Sequence, residues 1–373
     1  MPLTKVNTAM VSSGGGDVAS NTALGSSSLN SNTTGANNTA IGQQALQANT
    51  TASNNTAVGY QAAYSNTTST NNTAVGYQAG YSGTTSGNNT YVGKAAGYSN
   101  TAFDNTFVGF ESGYANTTGT NNTAIGLYSL QGNTTGSGVT GLGRSALVAN
   151  TTGANNTAVG YLALASNTTG ASNTALGYTA GNVISTGNNN VCIGYAAGSY
   201  STPLTTGGQN VFVGTNTGPS SATVDYEMVI ACLNSVGKGG STGYINPQGG
   251  GMYQGNNTTT WATVSDRRLK KNIVDNNTGL DVINQIRIRN FEYRLEDEIT
   301  ELNKNNVIKK SGIQLGVIAQ EIAEVSNEFV KEESTGVISV NSDNLTWYLI
   351  NAVKELNAKV EAQALEIATL KGN

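Results

Sequence analysis

A glycine preceded by an aliphatic residue returns every 16 or 17 positions along the first half of this chain, and that period constrains the fold more than any other feature. The glycines stand at positions 25, 42, 59, 76, 93, 109, 126, 143, 160, 177, 194 and 214, and only the last step, of 20, breaks the rhythm. Self-similarity at a fixed short period is the signature of a stacked repeat, in which each unit contacts its neighbours in sequence. The residue before each glycine is aliphatic, from Leu24, Ile41 and Val58 to Ile193 and Val213. The residue three after it is small, from Ser28 and Ala45 to Ala197 and Thr217. Together these columns predict close backbone approach, with the glycine at a corner between two short strands. Polar runs such as Asn116-Thr117-Thr118-Gly119 have the composition of turns.

The expected fold is mainly β: a β-solenoid or β-roll shaft over residues 21–217. Adjacent strands lie ~4.8 Å apart, so twelve coils make a rod of roughly 58 Å. If each coil buries the aliphatic residue before its glycine, the gain is roughly 1.5–3 kcal/mol. Ordering the coil costs about 1 kcal/mol or more for every residue. Burial inside one coil therefore falls short, and the rest must come from hydrogen bonding between coils and burial against other chains. The motif Asn-Thr-Ala-aliphatic-Gly, as in Asn55–Gly59, Asn72–Gly76 and Asn156–Gly160, resembles the head repeats of trimeric autotransporter adhesins and the repeat shafts of phage tail fibres. That resemblance implies a homotrimer.

Charge divides the chain. Residues 1–264 hold four basic and five acidic side chains, leaving 14 and 17 to the last 109 positions. The first part is a nearly uncharged polymer of Asn, Thr, Gly and Ala; the second has the charge density of an ordinary globular domain. The chain has no histidine, which excludes imidazole catalysis and His-containing metal sites. Calcium-binding repeats need carboxylates that the coils lack, and no metal or other cofactor is expected. Cys192 and Cys232 are too few for a disulfide framework. No run of 18 apolar residues occurs and the first residues lack a secretory pattern, so no membrane insertion is expected. Residues 1–20 are read as an attachment segment.

Two tyrosine columns run along the coils. Tyr60, Tyr77, Tyr161, Tyr178 and Tyr195 follow the glycine, and Tyr64, Tyr81, Tyr98 and Tyr114 sit five after it. Such rings either seal seams between chains or offer a platform to sugar rings of a host surface receptor. Adjacent threonines such as Thr50-Thr51 face opposite ways on a strand, which disfavours a flat ice-binding array. Asn-X-Thr sequons follow from composition and carry no glycosylation reading.

Residues 218–264 lose the period and read as a neck or tip of short strands. Gly237-Lys238 lacks the Ser or Thr and the helix of a phosphate loop. Asp225 and Glu227, two apart on an expected strand, are the nearest approach to a glycosidase carboxylate pair.

At the composition change stands Ser265-Asp266-Arg267-Arg268-Leu269-Lys270-Lys271. Taken alone it is a capped, solvated helix start, and one short basic run in an acidic chain does not indicate nucleic acid. Its pattern Ser-Asp-X-Arg-X-Lys, with Ser265, Asp266, Arg268 and Lys270, is similar to the intramolecular chaperone domain of phage tailspikes and endosialidases, the peptidase S74 family. Gly316-Val317-Ile318-Ala319-Gln320-Glu321 resembles that family's second block. A helix follows with Leu349, Val353, Leu356, Val360, Gln363, Ile367 and Leu370 in heptad spacing, the seam of a coiled coil.

The resemblance implies an α+β chaperone domain over 265–373 that directs trimer assembly and cuts the chain between Val264 and Ser265. A serine nucleophile without histidine needs another base, and lysine serves where burial or nearby cations keep it neutral. Ser265 is then the nucleophile and Lys270 the base, with Asp266 and Arg268 in support. The expected product is a trimeric phage or phage-like fibre, on the virion, joined to a tail attachment protein and binding a host-surface receptor such as a glycan. The alternatives are a polysaccharide-degrading tailspike and a cellular trimeric adhesin on the bacterial surface.

Overall fold

The computed structural model describes residues 11–12, 20–247, 252–255, 262–263, 267–301, 308, 310–333 and 336–372. The chain divides into two compact units, Met1–Ser265 and Asp266–Asn373.

The first unit is a β-solenoid. Each coil contributes a three-residue strand, such as Thr56–Val58, Thr73–Val75 or Thr123–Ile125. Each strand pairs in parallel with its equivalent, Thr56 with Thr73, Ala57 with Ala74 and Val58 with Val75. The coil that is one residue short keeps this register, Thr90 opposite Thr106. The expected corner between two strands is instead one strand followed by a run of turns. The reason is local: past the glycine, the chain twice enters the left-handed region, as at Gln44 (φ 62°) and Leu46 (φ 49°), and no strand continues through such residues. The corner glycine has two reasons to be glycine. Gly59 has φ 136°, and a Cβ there would lie 2.3 Å from the carbonyl oxygen of Gly76 in the next coil.

Strand alternation decides what is buried, and it corrects one expectation. In Thr-Ala-Val the central residue points inward and its two neighbours point out. The recurring aliphatic residue before the glycine is therefore on the surface, Leu176 at 48% exposure. The core is built from the strand centre, the small column and the residue four after each glycine, where Leu29, Leu46, Leu130, Leu147 and Leu164 are wholly enclosed. Volume is traded between two of these columns. Where the strand centre is large, as at Tyr91 and Phe107, the fourth residue is glycine, Gly97 and Gly113.

Buried asparagines supply the rest of the cohesion. The backbone N–H of Asn38 donates to Asn21 Oδ1 at 2.8 Å, and Asn38 Nδ2 donates to the Ala52 carbonyl at 2.8 Å. The same pattern repeats at Asn55, Asn122 and Asn173. A second ladder joins side chain to side chain: Asn133 Nδ2 to Asn116 Oδ1 at 2.6 Å, Asn150 to Asn133 at 2.8 Å and Asn167 to Asn150 at 2.7 Å. Threonine hydroxyls donate to the backbone of the next coil, Thr134 Oγ1 to the Thr151 carbonyl at 3.0 Å. Such buried amides stabilise only because nearly all find partners.

The backbone ladder does not stop where the sequence motif does. Val211 pairs with Met228 and Met228 with Gly243, still in parallel. Antiparallel pairing then closes the sheet through Tyr244 with Tyr253 and Tyr253 with Ala262, and Val11 with Leu24 does so at the other end.

The second unit is small and mixed. Helix α1 (Leu280–Ile283) precedes a two-stranded antiparallel sheet of Arg289–Phe291 and Gln314–Gly316. Helix α2 (Ala319–Val325) precedes a second one, Val330–Glu332 with Ile338–Val340. Helix α3 (Asp343–Lys371), capped by Gly372, is the last element. Its first half is anchored: Asn351 Nδ2 donates to the Asn276 carbonyl at 2.7 Å, and Tyr348 packs edge-on against buried Phe329. Beyond Ala352 no residue of the helix is buried. Among the described residues no helix is long and apolar enough to cross a membrane.

Candidate functional site

Three outward columns follow from the coil geometry. The strand's first residue gives a rank of threonines from Thr22 to Thr174, its third a rank of aliphatic residues from Leu24 to Ile230, and the residue after the glycine gives the first tyrosine column. The aliphatic rank contains no polar residue over its whole length. The periodicity alone did not reveal this face, because the most regular apolar column reads as core. The signal was present in the small residue between Thr and Val, since a three-residue strand with alanine at its centre turns its larger side chains outward.

The tyrosines stack along the shaft. Tyr60 and Tyr77 have ring centroids 5.3 Å apart, Tyr161 and Tyr178 5.1 Å, and Tyr178 and Tyr195 5.1 Å with planes within 3°. The other column, Tyr64, Tyr81, Tyr98 and Tyr114, is stacked at 5.0 to 5.1 Å. Rings so placed cover one another's faces. The column after the glycine remains the more exposed, Tyr195 at 53%.

The carboxylate pair does not form as expected. Neither residue lies on a strand, which begins at Met228. Glu227 is buried and its oxygens accept the backbone N–H groups of Ser220 (2.9 Å) and Gly239 (2.6 Å). Exposed Asp225 accepts the N–H of Gly208 at 2.6 Å. Glu227 takes the place of the ladder asparagine one coil after Asn210, whose Oδ1 accepts its N–H at 2.8 Å. Its role is to close the ladder, and the two groups do not face one side as glycosidase carboxylates would.

Of the residues expected to cut the chain, Val264, Ser265 and Asp266 lie outside the described residues. Arg268 lies in a 3-10 turn, Arg267–Leu269, and the N–H of Lys270 donates to the Arg267 carbonyl at 3.1 Å. Both side chains are exposed in the single chain. The second recognisable block forms the end of a strand and the start of α2. There Glu321 accepts a bidentate pair from Arg289, at 2.7 and 3.0 Å, which holds its carboxyl below the usual range. The heptad residues Leu349, Val353, Leu356, Val360, Ile367 and Leu370 are all exposed on α3.

No curated protein and no solved structure matches this chain. Residues 265–331 match the model of the Peptidase_S74 family, the chaperone of endosialidase, and this domain following a 17-residue β-solenoid fits a tail-fibre or tailspike-type protein.

Proposed function

We propose that three copies of this chain form a fibre that attaches a phage or phage-like particle to a host surface, and that the C-terminal domain assembles the fibre and then releases it. The observation that carries the reading is the outward aliphatic rank from Leu24 to Ile230, exposed or half-exposed in every coil and free of polar residues along the solenoid. An apolar strip that long on a soluble surface marks an interface, and a second copy carries the same strip at the same spacing. The exposed heptad of α3 serves the same end, aligning three chains before the slow pairing of a repetitive shaft can slip out of register.

Release takes two acyl transfers, one within the chain and one to water. The Ser265 hydroxyl loses its proton to the neutral amine of Lys270 and attacks the carbonyl carbon of Val264. The Val264–Ser265 C–N bond breaks, the departing nitrogen takes the proton, and water hydrolyses the resulting ester. Burial keeps a lysine neutral, and Lys270 is exposed in one chain; the reading therefore has neighbouring chains cover it, so that cutting waits for assembly. Asp266 and Arg268 hold the geometry.

Intact mass of the purified protein tests this. Wild type yields fragments 1–264 and 265–373, whereas Ser265→Ala and Lys270→Ala stay whole. Equal cleavage in all three removes the assignment.

A further inference from the structure

Residues 20–217 contain two basic side chains, Lys94 and Arg144, and both stand in the column that follows the corner glycine. Both are exposed. Lys94 Nζ lies 6.0 Å from the ring centre of Tyr77 and 5.0 Å from that of Phe110; Arg144 Cζ lies 5.7 Å from that of Tyr161. The rings hold the cations in place while leaving their N–H donors open to a ligand. Neither takes part in an ion pair among the described residues. The two carboxylates in this stretch are otherwise engaged: Glu111 accepts Gln131 Nε2 at 2.7 Å, and Asp104 accepts Asn88 Nδ2 at 3.1 Å.

This column also differs from the aliphatic rank beside it. That rank repeats one chemistry, as a fixed seam requires, whereas this column changes at each coil between Tyr77 and Tyr161, through Lys94, Phe110, Leu127 and Arg144. Burying Lys94 or Arg144 in a dry seam would leave a charge without a partner. The column therefore belongs to the open side of the assembled shaft. Three coil steps separate the two cations, roughly 14 Å at the spacing of paired strands.

We infer that the stretch from Tyr77 to Tyr161 binds an acidic saccharide chain, two of whose repeating anionic groups meet Lys94 and Arg144 while its carbon skeleton crosses Leu127. This rests on the adhesive reading above and names the class of surface polymer it takes. Carboxylate and phosphate share the chemistry required, and the experiment separates them.

The full-length protein is titrated with polygalacturonate, with a glycerol-phosphate teichoic acid and with neutral dextran, and in parallel adsorbed to a panel of bacterial cells. Wild type binds one or both acidic polymers, more weakly as salt rises, and does not bind dextran. Lys94→Gln with Arg144→Gln lowers affinity at least ten-fold, and the charge-preserving pair Lys94→Arg with Arg144→Lys restores most of it. Preference for the first polymer identifies carboxylate as the recognised group; preference for the second identifies phosphate. Failure to bind either, equal binding of dextran, or undiminished binding by the glutamine pair overturns the inference. If the protein still adsorbs to cells in that event, the adhesive reading stands without it; loss of all adsorption removes the adhesive reading itself.

Discussion

Cys192 occupies a strand centre where most coils have alanine, and burial pushes its thiol up to about 12 from an ordinary 9.0. Cys232, on the strand Met228–Val236, is exposed. Iodoacetamide at pH 8 should therefore alkylate Cys232 in the native protein and reach Cys192 only on unfolding; early modification of Cys192 would show the coil interior to be open. The same shift has a pH consequence. The folded value lies above the unfolded one, so the contribution is constant below pH 9 and declines as pH rises toward 12, where the unfolded thiol ionises and the folded one does not. Burial raises the Tyr91 phenol as well, against the hydrogen bond from Asn100. Melting should thus move to lower temperature across the alkaline window, less steeply in Cys192→Ala, and an equal slope in that variant would remove Cys192 as a cause.

Within a coil, the exchange of volume between strand centre and turn is the most testable feature. A Cβ on Gly97, where φ is 60°, would stand 2.2 Å from the Tyr91 ring. Strain and overpacking cost roughly 1–3 kcal/mol each, so Gly97→Ala should be clearly destabilising. Tyr91→Ala alone should cost about 3–5 kcal/mol through the cavity it leaves. Ala158 with Leu164 shows the opposite arrangement, the leucine at φ 51°. Tyr91→Ala combined with Gly97→Leu should therefore recover at least half of the loss in chemical denaturation. Simple additivity of the two penalties would show that the columns are not coupled.

For the whole molecule the decisive quantity is the number of chains. Lysines at Val75 and Ile125, both outward on the aliphatic rank, should reduce a trimer to smaller species in light scattering while leaving the coil interior untouched. Deleting residues 353–373 should slow assembly without changing the strand register of shafts already formed. A wild-type protein that is monomeric would remove the seam altogether, and a trimer indifferent to both lysines would place it elsewhere.

Two things were legible without coordinates. A period of 17 with a glycine in each repeat leaves a chain little choice but to stack, because the corner needs φ near +135° and the next coil's carbonyl fills the space of a Cβ. The Ser265–Lys270 pattern, through its likeness to a family, marks the start of the segment that the family model matches, residues 265–331. Tertiary structure alone decided which columns face in. Leu176 and Leu164 have the same hydrophobicity, and one is 48% exposed while the other is enclosed. A side chain's direction follows from its place in a three-residue strand and the left-handed turn after it. Composition carries no record of that geometry, nor of the backbone ladder continuing beneath a sequence that had ceased to repeat.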